Sequence, residues 1–130
     1  MVNSQDQIIL FLRDNIDGLP YPDCWDLLGG KIEKNESPQQ CIIREMKEEL
    51  ELDLDEKELR LFNTYDMSDR KEYTFWMKTD LDIEKIPLHE GQYLRWFSEE
   101  EVKNSPEDKI AFGFKPIILG FFKKAPFKKR

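Results

Sequence analysis

Glu45, Glu48 and Glu49 place three carboxylates within five consecutive residues of a segment that carries the marks of a helix. Ser37 followed by Pro38 is a helix start, a hydroxyl N-cap with proline at the first helical position, and Gln40 completes a capping box. Nothing between there and Leu50 breaks a helix. At 100° per residue, Ile42, Ile43, Met46 and Leu50 fill one arc of about 100°, the stripe that should face a core. The three glutamates occupy the neighbouring arc, so their carboxylates converge at one edge of the buried face. Alone, that convergence is unfavourable. Like charges at i,i+4 cost roughly 0.2–0.5 kcal/mol per pair, and acids in the last turns oppose the helix dipole by about 0.3–1 kcal/mol each. A divalent cation would offset both. Hard oxygen donors without an accompanying His or Cys cluster suit Mg²⁺, with Mn²⁺ as the alternative, rather than zinc. The same string also fits a solvated acidic face in a Glu-rich chain.

The wider spacing separates these two readings. Residues 30–52 fit the pattern G-x5-E-x7-R-E-U-x-E-E-x-G-U, where U is a bulky aliphatic residue: Gly30, Glu36, Arg44, Glu45, Met46, Glu48, Glu49 and Leu52 fall in place, and only Glu51 departs, standing where the pattern has its second glycine. This resembles the Nudix box, the signature of hydrolases that cleave nucleoside diphosphates linked to another moiety. The likeness extends outward. Trp25-Asp26-Leu27-Leu28-Gly29-Gly30 is similar to the family's tryptophan-x-leucine-proline-glycine-glycine approach, with Leu28 where proline is usual, and Glu90-Gly91-Gln92 followed by Leu94-Arg95-Trp96-Phe97-Ser98 resembles its C-terminal half.

The resemblance implies roles. Glu45, Glu48 and Glu49 match the box's metal ligands, Glu48 and Glu49 above all, and Gly30 would lend a backbone carbonyl to the same ions, since glycine lets a loop approach closely. Arg44 and Glu36 would form a bracing ion pair that orients the ligands. Water would attack a phosphorus of a pyrophosphate with metal assistance. Glu48, Glu49 or Glu90, from the downstream loop, would act as general base. For Glu90 an exposed turn carboxylate is the competing reading.

The rest of the chain supplies the elements that must position these residues. At 130 residues, with 39% hydrophobic and 36% charged content, it is read as one domain over residues 1–130. Residues 7–13 form an apolar run expected to be a strand buried on both faces. A loop rich in Gly and Pro follows over 14–23, then a brief strand at 24–28. Beyond the helix, 59–66 and 72–78 read as strands joined by a polar hairpin loop at 67–71, and 92–97 as another strand. Ser98-Glu99-Glu100-Glu101 is a capping box opening a short helix to about Asn104. Residues 105–109 read as a loop, and a last helix is expected over 116–122. Strands interleaved with three helices imply an α/β fold, a mixed sheet covered on both faces, which agrees with the α/β/α sandwich of the resemblance. Family members carry one more strand before 7–13. Here only six residues precede it, so the sheet is expected to be one N-terminal strand short, with an open edge beside Ile8, Leu10 and Leu12. A two-fold homodimer would cover that edge, and so would the C-terminal segment around Phe121 and Phe127.

Composition excludes several classes. A net charge of −7 argues against a nucleic-acid surface. The tail Lys123-Lys124-Ala125-Pro126-Phe127-Lys128-Lys129-Arg130 is basic, but a frayed, solvated terminus is its first reading. No apolar run approaches a membrane span, the first residues lack a signal-peptide layout, and Cys24 and Cys41 make no disulfide framework, being read as packing residues; a reducing cytoplasm is expected.

Arg13, Tyr65, Phe75 and Trp76 are candidates for contacting substrate, as are Tyr73 and Tyr93, although aromatics on strands are first of all core residues. His89, the single histidine, is read as incidental. By the resemblance, the proline that marks ADP-ribose hydrolases is absent near Asp66-Met67-Ser68, and the tyrosine of diadenosine-polyphosphate hydrolases is out of place. What remains is a nucleoside triphosphate, including oxidised forms, cleaved to the monophosphate and pyrophosphate. Nucleotide sugars or other nucleoside diphosphate derivatives are the alternative. A non-catalytic ligand-binding module of the same fold is a further one, which the intact glutamates oppose.

Overall fold

The structure is a computed structural model and describes residues 1–128. The apolar run becomes β1 (Ile8–Leu12), buried at every position. It is the central strand of a three-stranded antiparallel sheet. On one side it pairs with β5 (Leu94–Phe97) from Ile8↔Phe97 to Phe11↔Leu94, and on the other with the two-residue β2 (Trp25–Asp26). The second sheet is the antiparallel hairpin of β3 (Arg60–Asp66) and β4 (Lys71–Trp76), with a bulge between Leu61 and Asn63.

Val2 connects the two sheets. It bridges Ile8 antiparallel and Lys78 parallel, its N–H donates to the Met77 carbonyl at 2.9 Å, and its carbonyl accepts from Thr79 at 2.8 Å. The strand expected to be missing is thus reduced to one residue, Val2, with a bridge on each side. This corrects the expected open edge. β1 lies inside the sheet, and Met1 and Val2 cover the half of its edge that β2 leaves free. The stated reason for a dimer disappears with that edge. Within the two sheets all pairings are antiparallel, and the parallel ones are the isolated bridges Val2↔Lys78 and Trp25↔Ile110.

Because side chains alternate along a strand, β1 feeds two cores. Ile8 and Leu10 pack with Phe97, with Val102 of α2 (Glu99–Asn104), and with Ile118, Phe121 and Phe122 of α3 (Lys115–Lys124); Ile9 and Phe11 pack with Met46 and Leu50 of α1 (Pro38–Leu50). Helices therefore cover both faces, which gives the α/β/α layering. The C-terminal tail is not frayed as far as it is described: Phe127 is buried against Phe121 and Phe122. Lys129 and Arg130 lie outside the described residues. Among the described residues no helix is long and apolar enough to cross a membrane.

Candidate active site

Both ends of α1 are built to hold its acidic edge in place. At the start, the Ser37 hydroxyl accepts from the Gln40 N–H at 3.0 Å while the Gln40 side-chain oxygen accepts from Ser37 N–H at 2.9 Å, a complete capping box. At the end, Glu51 adopts the left-handed conformation (φ 55°, ψ 33°), its N–H reaching the Lys47 carbonyl at 3.1 Å and the next N–H reaching Met46 at 3.3 Å. That is the position where the pattern has glycine. The turn is kept, although a side chain there costs roughly 1–2 kcal/mol that glycine avoids. Met46 and Leu50 anchor the buried stripe as expected, but Ile42 and Ile43 are only half-buried, and Cys41 is its third buried member.

The helix brings the three glutamates together, with a carboxylate oxygen from each of Glu45, Glu48 and Glu49 within 4.8 Å of the others. Glu49 Oε2 is buried without a hydrogen-bond partner. Burial pushes the carboxyl of Glu45 above the usual carboxylate range, against the pull of Arg44 and with help from Glu48 and Glu90. Burial also raises Glu49, followed by the nearby charges of Glu90 and Glu45. Glu90 therefore stands at the cluster.

Arg44 ties this group together. Its guanidinium takes Glu36 with two bonds, Nε to Oε2 at 2.6 Å and Nη2 to Oε1 at 3.0 Å. It also reaches Glu45 at 3.0 Å, Glu48 at 3.2 Å, Glu33 at 3.0 Å and the Lys31 carbonyl at 3.1 Å. The bonds from Arg44 hold Glu36 down at about 2. Glu33 is a partner that spacing alone did not single out.

Gly30 leaves the space that the Glu45 carboxylate occupies. A Cβ on it would lie 2.2 Å from both Cδ and Oε1 of Glu45. Its carbonyl accepts a long contact from the Cys41 thiol at 3.6 Å, and burial keeps that thiol up at about 11, protonated and inert. The loop carrying Glu90 is fastened on both sides. Before it, His89 N–H donates to the Glu49 carbonyl at 2.9 Å; after it, Gly91 (φ 95°) abuts the Phe11 ring and Gln92 N–H donates to the Leu12 carbonyl at 2.8 Å.

A cavity of about 930 Å³ runs from Gly30, Glu45 and Glu90 inward to Arg13, Asp26, Phe75 and Trp76. Tyr73 and Phe112 also line it, whereas Tyr65 does not. Tyr65 borders an adjoining, open depression with Tyr21, which shares Arg70 and Phe112 with the cavity. Tyr93 is largely exposed, edge-on to Trp25. Arg13 lines the cavity but is committed: Nη1 bonds Asp26 at 2.9 Å, Nε bonds the Pro20 carbonyl at 3.0 Å, and the ring of Phe112 lies 5.1 Å below. Asp26 went unnoticed in the sequence. It is buried, burial pushes its carboxyl up to about 6 despite Arg13, and its Oδ1 has no partner.

The donor set fits a hard divalent cation. It is all oxygen, it has one buried carboxylate oxygen without a protein partner, and the glycine beside it leaves room for Glu45. Glu45, Glu48, Glu49 and the Gly30 carbonyl could hold such an ion.

A sandwich with this helix, this arginine and this carboxylate edge defines a recognisable class. The NUDIX domain family model matches residues 1–118, and the chain belongs to the Nudix family. It is 30% identical over 110 residues to the RNA pyrophosphohydrolase of a Nitratiruptor species, covering 82% of this chain and 61% of that protein. It is 32% identical over 83 residues to the CTP pyrophosphohydrolase of Escherichia coli, covering 63% of this chain and 61% of that one. The chain thus spans about three-fifths of these relatives' length. Among solved structures, a MutT/nudix family protein from Enterococcus faecalis superposes with TM-score 0.71 at 19% identity, over 94% of this chain and 56% of that one. A MutT protein from Methanosarcina mazei Go1 gives 0.68 at 18%, over 96% and 89%.

Proposed function

We propose that residues 1–130 form one catalytic domain, a Mg²⁺-dependent pyrophosphohydrolase (Mn²⁺ substituting) that cleaves a nucleoside triphosphate with water to the monophosphate and pyrophosphate. The observation that carries this reading is the convergence of the Glu45, Glu48 and Glu49 carboxylates, of which Glu45, together with Glu90, lines a cavity of nucleotide size. When bound, divalent cations would neutralise charge on the pyrophosphate oxygens and make water a better nucleophile. The protein's own residues do the rest. Arg44, locked to Glu36, fixes the directions of Glu45 and Glu48. Glu90, whose charge bears on Glu49, would take the proton of the attacking water. Phe75, Trp76 and Phe112 offer apolar walls to a base.

Two similar proteins are named for nucleoside triphosphates, CTP and 8-oxo-dGTP, which supports this substrate class. The relative named for RNA suggests a longer substrate, but a net charge of −7 gives a polynucleotide backbone little to hold. Two free, buried cysteines suit a reducing cytoplasm. The test is release of pyrophosphate from a panel of ordinary and oxidised nucleoside triphosphates, with and without Mg²⁺ or Mn²⁺. Turnover only with metal is expected. No cleavage of any member with either ion would overturn the triphosphate proposal, and the same assay on nucleotide sugars and other nucleoside diphosphate derivatives would then separate a different hydrolase from a ligand-binding module.

A further inference from the structure

Glu51 is the one residue of the box that departs from its pattern, and it does so at a backbone cost. It holds φ 55° at the end of α1, where glycine would sit without strain. Its side chain is not idle. Oε2 lies 2.6 Å from Nε2 of His89, and His89 N–H donates to the carbonyl of Glu49 at 2.9 Å. The last turn of the helix thus grips the residue before Glu90 twice, once through the backbone and once through the Glu51–His89 pair. On the other side of Glu90, Gly91 and Gln92 are fixed to β1: a Cβ at Gly91 would meet Phe11 Cδ2 at 2.6 Å, and Gln92 N–H bonds the Leu12 carbonyl.

We infer that Glu51 and His89 form a positioning clamp that holds Glu90 against Glu49, in place of the glycine turn the pattern calls for. The inference rests on the role given to Glu90 in the proposed function. Neither clamp residue touches substrate. Each acts through the loop between its two anchors. Both side chains are about half exposed (53% and 58%), so their pairing is worth only a surface interaction, and its loss should change turnover by about two- to fivefold rather than abolish it.

Glu51→Gly separates the clamp from the fold, because glycine relieves the left-handed turn while removing the carboxylate. The metal-free variant is expected to melt at or above the wild-type temperature, yet to exchange the amide hydrogens of residues 88–91 faster. With Mg²⁺ and a nucleoside triphosphate, kcat should fall about two- to fivefold at unchanged KM. Glu51→Gln keeps an acceptor for the His89 ring and should restore both readouts. Glu51→Gly combined with His89→Ala should lose no more than either alone. Wild-type exchange and kcat in Glu51→Gly, or additive losses in the double variant, would overturn the clamp. A Glu90→Gln enzyme with undiminished turnover would instead remove Glu90 from the proposed chemistry, and exchange in the metal-free protein would still decide whether the clamp exists.

Discussion

Gly30→Ala adds one methyl group and tests the heart of the site. The new Cβ would stand 2.2 Å from Cδ and Oε1 of Glu45 and 2.7 Å from Oε2, against about 3.4 Å for ordinary contact. The carboxylate must therefore retreat by about 1.2 Å. Mg²⁺–oxygen distances are about 2.0–2.1 Å and tolerate only about ±0.2 Å, so the displacement is several times what coordination allows. The same retreat breaks the 3.0 Å bond between Arg44 and Glu45. A loss of this kind should weaken metal binding at least as much as an outer-shell defect, about 10–100-fold, or about 1.4–2.7 kcal/mol. The fold should be spared. The clashing atoms end a flexible side chain, and Gly30 is not among the residues with positive φ, so alanine fits the backbone. The assays are calorimetric titration with Mn²⁺, pyrophosphate release as a function of Mg²⁺, and melting in chelator. The expected pattern is weakened metal binding with a metal-free melting temperature close to wild type. Unchanged Mn²⁺ affinity and turnover would refute the view that glycine is present to make room for Glu45.

Other perturbations follow from the same geometry. Glu48→Gln and Glu49→Gln should each remove most turnover at saturating Mg²⁺ while the metal-free protein gains roughly 0.2–0.5 kcal/mol from relieved repulsion; activity assays and chelator melts check both. Arg44→Ala should raise the half-saturating Mg²⁺ about 10–100-fold, and a normal Mg²⁺ curve would reduce Arg44 to a surface residue. Asp26 is raised in the folded protein to about 6 from an ordinary 3.8, so the stability it leaves intact below about pH 4 is lost as pH rises towards 6, roughly 3 kcal/mol in all. Glu45 and Glu49, also raised, add to that decline. Comparing the melting slope of Asp26→Asn with wild type over pH 4–6 isolates the part due to Asp26, whatever constant penalty the unpaired Arg13 adds. With β1 inside its sheet, light scattering at micromolar concentration should give 15.6 kDa, and twice that mass would reveal an interface elsewhere.

What was legible in the sequence was local. Pro38–Leu50 could be read because a capping box and an unbroken apolar stripe lie within one helix, and the capping box at Ser98 announced α2. The convergence of Glu45, Glu48 and Glu49 needs only helical spacing. The illegible parts depend on distant partners. Nothing near Val2 says that it will bridge Ile8 and Lys78 and so close the edge of β1. Nothing near Phe127 says that it will pack on Phe121 and Phe122 beneath a run of lysines. Nothing in the sequence singled out Asp26, and only the fold buries it against Arg13. Tyr65 and Trp76 share one hairpin, yet only Trp76 reaches the cavity. Glu90 could be proposed from the resemblance, but its approach to Glu49 is made by the fold.

On the proposed function, the charge balance of the site would let an acidic protein handle polyphosphate. One guanidinium, that of Arg44, faces Glu33, Glu36, Glu45 and Glu48 directly, while Glu49 and Glu90 stand beyond its reach and push on each other. Arg44 spends its paired donors on Glu36, which holds that carboxylate ionised and leaves Glu49 Oε2 buried without a partner. An arginine placed to neutralise the whole cluster would have made a stable ion-pair network with nothing left to bind. Here the positive charge braces the frame and the negative charge stays uncompensated at the working edge. A free polyphosphate would be repelled from that edge, whereas its complex with divalent cations would be drawn to it. On the proposed function, selectivity for a metal-complexed substrate would follow from the same imbalance that destabilises the metal-free helix.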